Sequence, residues 1–176
     1  MADFNIYFPI EESLEGTVFE NDSNDNGGAT KFGLTISDLQ EYNLDENSDG
    51  VIDWKDIQSL NVQDAAKVLK KVYWDYFKAD TIVNQSMGMF LVDGGLNQGK
   101  VLISKYLQLC LGVTVDGMPG VKTIAALNNY PNQQDLFNQI YNKRKQHYDN
   151  IIAANPSQEV YRKGWYNRLN AITFKP

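Results

Sequence analysis

Apolar residues recur at helical spacing through most of the chain. From Asn61, whose side chain suits a helix N-cap, Val62, Ala65, Ala66, Leu69, Val72, Tyr73 and Tyr76 fall on one face. Further stripes predict helices over about 85–97 and 101–111, the second terminated by Gly112. A shorter helix follows Pro119-Gly120 with Ile124 and Leu127 inward. A long one over about 135–153 carries Leu136, Ile140, Tyr148 and Ile151, and beyond the break at Pro156 a last helix holds Val160, Trp165 and Leu169. Near the start, Pro9 fits a first helical turn, where its missing N–H is not needed, and Phe8, Glu11, Glu12 and Leu14 extend a short helix that Gly16 ends. Strand signals are confined to 17–19 and 30–35 and predict one small hairpin. The pattern is that of a mainly α protein with a small β element.

Composition narrows the function classes. A chain of 176 residues, 43% of them hydrophobic, builds one compact unit or two small subdomains around a real core. No stretch approaches the ~20 apolar residues of a membrane helix, so membrane insertion is not expected. Residues 1–10 lack the basic start and apolar run of a secretory signal. A net charge of −6 argues against nucleic acid, which is met by a basic stripe. Cys110 is the single cysteine and His147 the single histidine, which excludes internal disulfides and a usual zinc site. Cys110 lies in an apolar run and reads as a small buried hydrophobe, not a nucleophile. Ten tyrosines, eight phenylalanines and three tryptophans suit sugar binding and a core equally well.

The chemistry centres on Glu15. It falls in the last turn of the first helix, at the negative end of the helix dipole and near Val18 and Phe19. Both influences raise a carboxyl pKa, as a general acid working near neutral pH requires. A polar, glycine-rich stretch then runs from Glu20 to Thr30 and offers Asp25, with Asp22 as the alternative, as the facing carboxylate and Thr30 as a hydroxyl.

These residues carry a resemblance. Leu14-Glu15-Gly16, Glu20-Asn21-Asp22 and Asn24-Asp25-Asn26-Gly27-Gly28-Ala29-Thr30-Lys31-Phe32-Gly33-Leu34-Thr35 resemble the N-terminal signature of glycoside hydrolase family 108, lysozyme-like N-acetylmuramidases of phages and bacteria. Gly16-Thr17-Val18-Phe19 departs from the family's Gly-Gly-Tyr, and Ser23 and Asn26 stand where prolines are usual. The segment from Tyr106 to Leu127, through Val115-Asp116-Gly117, is similar to the peptidoglycan-binding module associated with the family, and Gly164-Trp165-Tyr166-Asn167-Arg168 to its terminal pattern. The resemblance implies a lysozyme-like fold with the hairpin next to Glu15, a catalytic region over 1–95 and a peptidoglycan-binding-like region over 96–176. It implies cleavage of the β-1,4 bond between N-acetylmuramic acid and N-acetylglucosamine, without a catalytic cofactor, by a monomer acting on bacterial peptidoglycan outside the cytoplasm after export or lysis. Glu15 would protonate the leaving oxygen, Asp25 or Asp22 would stabilise charge or activate water, and Thr30 would hold that water, with inversion expected because a turn-borne carboxylate suits guiding water. Asp93 and Asn97, four apart on one helical face, match the family's Asp-to-Asn-X-Gly segment and are candidate groove lining. Rival expectations are a catalytically inactive wall-binding module and a calcium-dependent interaction protein.

One segment stands outside that family pattern. Asp45-Glu46-Asn47-Ser48-Asp49-Gly50-Val51-Ile52-Asp53-Trp54-Lys55-Asp56 matches the twelve-position EF-hand loop. Asp45, Asn47, Asp49, the Val51 carbonyl, Asp53 and Asp56 are the expected ligands of one structural Ca²⁺, and Gly50 makes the sharp turn. Asp56 stands where Glu is usual.

Overall fold

A computed structural model describes residues 1–15, 19 and 28–176, with Glu15 described as helical backbone. The chain divides into two compact units, Asp3–Tyr76 and Phe77–Pro176, the latter joined by Met1–Ala2. It is mainly helical, lysozyme-like, with a small two-stranded antiparallel sheet.

In the Asp3–Tyr76 unit, helix α1 spans Phe4–Glu15. It starts earlier than the position of Pro9 predicts, because Asp3 supplies the cap: its Oδ1 accepts the Asn5 N–H at 2.8 Å. Pro9 therefore sits inside the helix, which persists through it because Tyr7 and Glu11 are buried on either side of it. Strands β1 (Thr30–Lys31) and β2 (Leu34–Thr35) pair with Thr30 opposite Thr35 and Lys31 opposite Leu34. Their two-residue connection, Phe32 at φ 55° and Gly33 at φ 72°, has the positive φ values of a type I′ turn, whose twist matches the strands. The hairpin thus lies wholly within 30–35; a partner strand at 17–19 falls largely outside the described residues. Helix α2 (Ile36–Tyr42) follows directly, then the 45–56 loop and α3 (Trp54–Ser59). Helix α4 (Val62–Leu69) is capped by Asn61, whose Oδ1 accepts the Asp64 N–H at 3.0 Å. The α pattern expected to continue to Tyr76 gives way to a π-helical turn over Lys70–Trp74, in which the Asp75 N–H reaches back five residues to the Lys70 carbonyl at 2.8 Å.

In the Phe77–Pro176 unit, α5 (Gln85–Gly94) runs into a second π-helical turn over Gly95–Gly99, and α6 (Lys100–Leu111) ends on Gly112 at φ 67°. Helix α7 (Val121–Asn128) buries Ile124 and Leu127 as the pattern requires. The long α8 (Gln133–Ala154) packs against α6 and against α9 (Arg162–Leu169), a 3₁₀ segment over Pro156–Tyr161 joining the last two. Ile152, not Ile151, is its inward residue near the end, and Val160 is 77% exposed because it belongs to the 3₁₀ segment and not to α9. Trp165 stacks on Tyr148 at 4.9 Å and on Tyr161 at 5.9 Å, an anchor between α9 and α8. Cys110 is half-buried and free, with its thiol pushed up by burial. No helix among the described residues is long and apolar enough to cross a membrane.

Candidate active site

Glu15 is the final residue of α1, so the position of this helix sets the start point of its side chain. The helix is fixed by rings. Trp74, fully buried, receives the Tyr7 ring in a stack at 5.7 Å and the Phe4 ring edge-on at 5.4 Å. The Tyr7 hydroxyl donates to Glu11 Oε2 at 2.8 Å, and Glu11 is 1% exposed. This buried glutamate, one turn before Glu15, reads in the sequence only as a helix-forming surface residue; the Tyr7–Glu11 spacing is the signal that could have found it.

Thr30 lies half-buried on β1, opposite Thr35. Asp22 and Asp25 lie outside the described residues. Next to Thr30, Lys31 donates to the carbonyls of Gln58 and Leu60 at 2.9 and 2.7 Å, tying β1 to the end of α3. On the other strand, Thr35 gives its N–H and its hydroxyl to Asp38 Oδ2, each at 2.8 Å. The other Asp38 oxygen accepts the Tyr73 hydroxyl at 2.7 Å. Asp38 is 5% exposed, and the Tyr73 hydroxyl is pushed far up, first by burial and then by the Asp38 charge. The Tyr73–Asp38 bond cannot be read in the sequence, since the two residues are separated by 35 positions, whereas Thr35 and Asp38 have the spacing of a capping box.

The 45–56 loop turns at Gly50, φ 88°, a backbone that side-chain-bearing residues rarely adopt. Asp45 accepts the N–H groups of Asp49 and Gly50 at 3.2 and 2.8 Å, Asn47 that of Asp49 at 2.8 Å, and Asp49 that of Val51 at 3.0 Å. Asp53 caps α3 by accepting from Lys55 N–H at 2.7 Å. Asp56 is fully buried and accepts from Asn47 and Asp53 N–H at 3.2 and 2.7 Å. Burial pushes its carboxyl up, and the backbone N–H groups outweigh that and hold it below the usual carboxylate value. The Lys55 ammonium stands 3.5 Å from both Asp49 and Asp53. Among the described residues, no three or more His, Cys, Asp or Glu side chains gather so as to hold a metal ion.

The C-terminal candidates sit differently. Asp93 is 1% exposed; its oxygens meet Arg144 Nη2 at 2.7 Å and Arg168 Nε at 2.9 Å, so the carboxylate faces guanidiniums and not solvent. Arg144, itself fully buried, lies against Gly94, where an added Cβ would stand 3.1 Å from the guanidinium carbon. Asn97 is exposed and donates to its own helix at the Asp93 carbonyl, 2.8 Å away. The structure does not bring either side chain into a shared lining. Farther on, the buried amide of Gln108 organises the turn between α6 and α7: it donates to Asp116 at 2.6 Å and to the Met118 carbonyl at 3.1 Å, and accepts from Gly117 N–H at 2.8 Å. That turn borders a groove of about 660 Å³ lined by Val113, Asp116, Met118, Val121 and Lys122 among others.

Two family profiles match successive segments of the chain. The profile of the family described as glycosyl hydrolase 108 matches residues 12–99, half of the chain. A second, described as predicted peptidoglycan domain, matches residues 103–170. Among solved structures, SagA of Brucella abortus is similar with a TM-score of 0.79 at 23% identity, over 96% of this chain and 90% of that one, which establishes a shared fold. No curated protein gives a significant match.

Proposed function

Because the chain belongs to the glycosyl hydrolase 108 family, we propose that it is a peptidoglycan hydrolase, an N-acetylmuramidase that opens the β-1,4 bond between N-acetylmuramic acid and N-acetylglucosamine. The observation that carries the reading is the placement of Glu15 as the last residue of α1, inside the segment matched by that family, with a region matched by a peptidoglycan profile directly after it. Glu15 is the general acid that protonates the glycosidic oxygen as oxocarbenium character grows on the sugar. Asp25, with Asp22 as the alternative, stabilises that charge or activates the attacking water, and Thr30 orients the water. Inversion follows if the two carboxyls lie about 6.5–9.5 Å apart, the gap that admits a water. Such chemistry needs no catalytic metal. The enzyme acts outside the cytoplasm, on the wall.

The test is digestion of purified peptidoglycan followed by borohydride reduction and mass analysis of the products. A muramidase leaves reducible N-acetylmuramic acid ends. Reducible N-acetylglucosamine ends would reassign the bond, and binding without release of reducing ends would reassign the protein as an inactive wall-binding module.

We further infer that the 45–56 loop binds one structural Ca²⁺. Its support is the ordered series of oxygen donors around Gly50, with Asp45, Asn47, Asp49, Asp53, Asp56 and the Val51 carbonyl as the residues that would hold the ion. Their carboxylates accept the loop's own backbone N–H groups, and Asp49 and Asp53 also face Lys55. A melting temperature that rises with millimolar calcium in wild type and not in Asp45→Ala supports the ion; no shift in wild type contradicts it.

A further inference from the structure

We propose that the π-helical turn Lys70–Trp74 is the positioning element of the active site: Tyr73, acting through Asp38, sets the hairpin that bears Thr30, and Trp74 sets the helix that ends at Glu15. The inference rests on the reading that Glu15 and Thr30 serve hydrolysis. Tyr73 and Trp74 are consecutive, 7% and 0% exposed, and each grips a different element. Trp74 takes the rings of Phe4 and Tyr7 from α1. Tyr73 takes the Asp38 carboxylate, which in turn holds both the N–H and the hydroxyl of Thr35. Thr35 pairs with Thr30 across a tight two-residue turn, so a shift of one strand moves the other.

The chemistry of this link is not what bare packing would choose. Asp38 makes no ion pair among the described residues; its charge is met by hydroxyl and N–H donors alone. Burying a carboxylate on such terms is costly, and an apolar side chain would fill the space more cheaply. What the carboxylate supplies is direction: three short hydrogen bonds fix β2 and α2 on the π turn at one orientation. The π geometry is itself a departure from the α pattern of the sequence, and such turns recur at functional sites. Tyr73 and Trp74 are positioning residues, acting on the reacting groups through Asp38, Thr35 and α1.

The experiment is a double-mutant cycle on the full chain, with kcat and KM measured on soluble peptidoglycan fragments for wild type, Tyr73→Phe, Thr30→Ala and the double variant. Tyr73→Phe keeps the ring and removes the donor to Asp38. In a folded variant kcat is expected to fall about ten- to a hundredfold with KM unchanged, the scale of a small misplacement of reacting groups. In the Thr30→Ala background the same change should cost little, because the group it positions is gone. Wild-type kcat in folded Tyr73→Phe, an equal loss in both backgrounds, or a Thr30→Ala variant with wild-type kcat would each overturn the proposal. If Tyr73→Phe does not fold, Thr35→Val, which removes the hydroxyl bonds to Asp38 and Ser37 and keeps the Thr35 N–H bond to Asp38, is read in the same cycle. Glu15→Gln assayed alongside separates the two levels: an inactive Glu15→Gln with an additive cycle rejects the positioning role alone, an active one rejects the reading of Glu15 as the proton donor on which the proposal rests, and a wild type that releases no reducing ends rejects the hydrolase reading itself.

Discussion

Asp38 and Asp93 are both buried, one in each unit, and they are held in opposite ways. Asp93, in the Phe77–Pro176 unit, is neutralised by two guanidiniums, those of Arg144 and Arg168, and so joins α5 to α8 and α9. Asp38, in the Asp3–Tyr76 unit, has only neutral donors among the described residues: a tyrosine hydroxyl, a threonine hydroxyl and one N–H. The first is a charged cluster of one carboxylate and two guanidiniums, in which loss of the carboxylate leaves the fully buried Arg144 guanidinium without its counter-charge. The second is a directional tether whose value lies in where it points. Scaffold strength and site placement are thus built from the same residue type with different partners.

Breaking the stronger node should have the largest effect. Arg144→Met leaves Asp93 with one of its two partners, and a loss near the 3–5 kcal/mol typical of a broken buried pair is expected in chemical denaturation. Adding Asp93→Leu to it should not recover that loss, because it also takes away the carboxylate that Arg168 meets at 2.9 Å. A double variant as stable as wild type would show that packing, and not the charged cluster, sets stability here. The tether should give less. Tyr73→Phe removes one hydrogen bond to a charged group, about 1.5–3 kcal/mol, and its pH signature is distinctive. The Tyr73 proton is held in the folded state well above the ordinary value of 10.0, so the unfolded chain releases it first. Its contribution is therefore complete below pH 10 and declines as pH rises beyond it; Tyr73→Phe should flatten that alkaline slope, while Arg144→Met should not. Smallest is Asn61→Ala, a lost N-cap on α4 expected to cost about 1 kcal/mol, which also removes exposed amide bonds to Glu46 and Asp64 and calibrates a local, exposed cluster in the same unit as Asp38.

Local structure was legible where local rules decide it. The Asn61 cap, the stop at Gly112 and the inward face of α7 follow from side chains within a few positions of one another. Both π-helical turns were invisible, because apolar spacing cannot distinguish a bond reaching back four residues from one reaching back five. The helix containing Pro9 was placed too late because the cap at Asp3 outweighs the proline's preference for a first turn. Of the candidate site, the helix end at Glu15 and a short hairpin bearing Thr30 were readable. The bond from Tyr73 to Asp38 and the role of Arg144 were not, since each depends on who meets it after folding. Asp93 finds its arginines 51 and 75 positions away, across the junction between the two matched family segments. No periodicity announces such a pairing, and the spacing to Asn97 suggested a shared polar lining instead.

The most direct measurement concerns one acid. Release of reducing ends from purified peptidoglycan should be compared for wild type and Glu15→Gln, with matching far-UV circular dichroism and melting curves to show that α1 is intact. The expected result is an unchanged fold and a rate reduced by at least about the 10²–10⁴-fold that general acid catalysis contributes. A folded Glu15→Gln protein that releases ends at the wild-type rate would contradict the assignment of Glu15 as the proton donor.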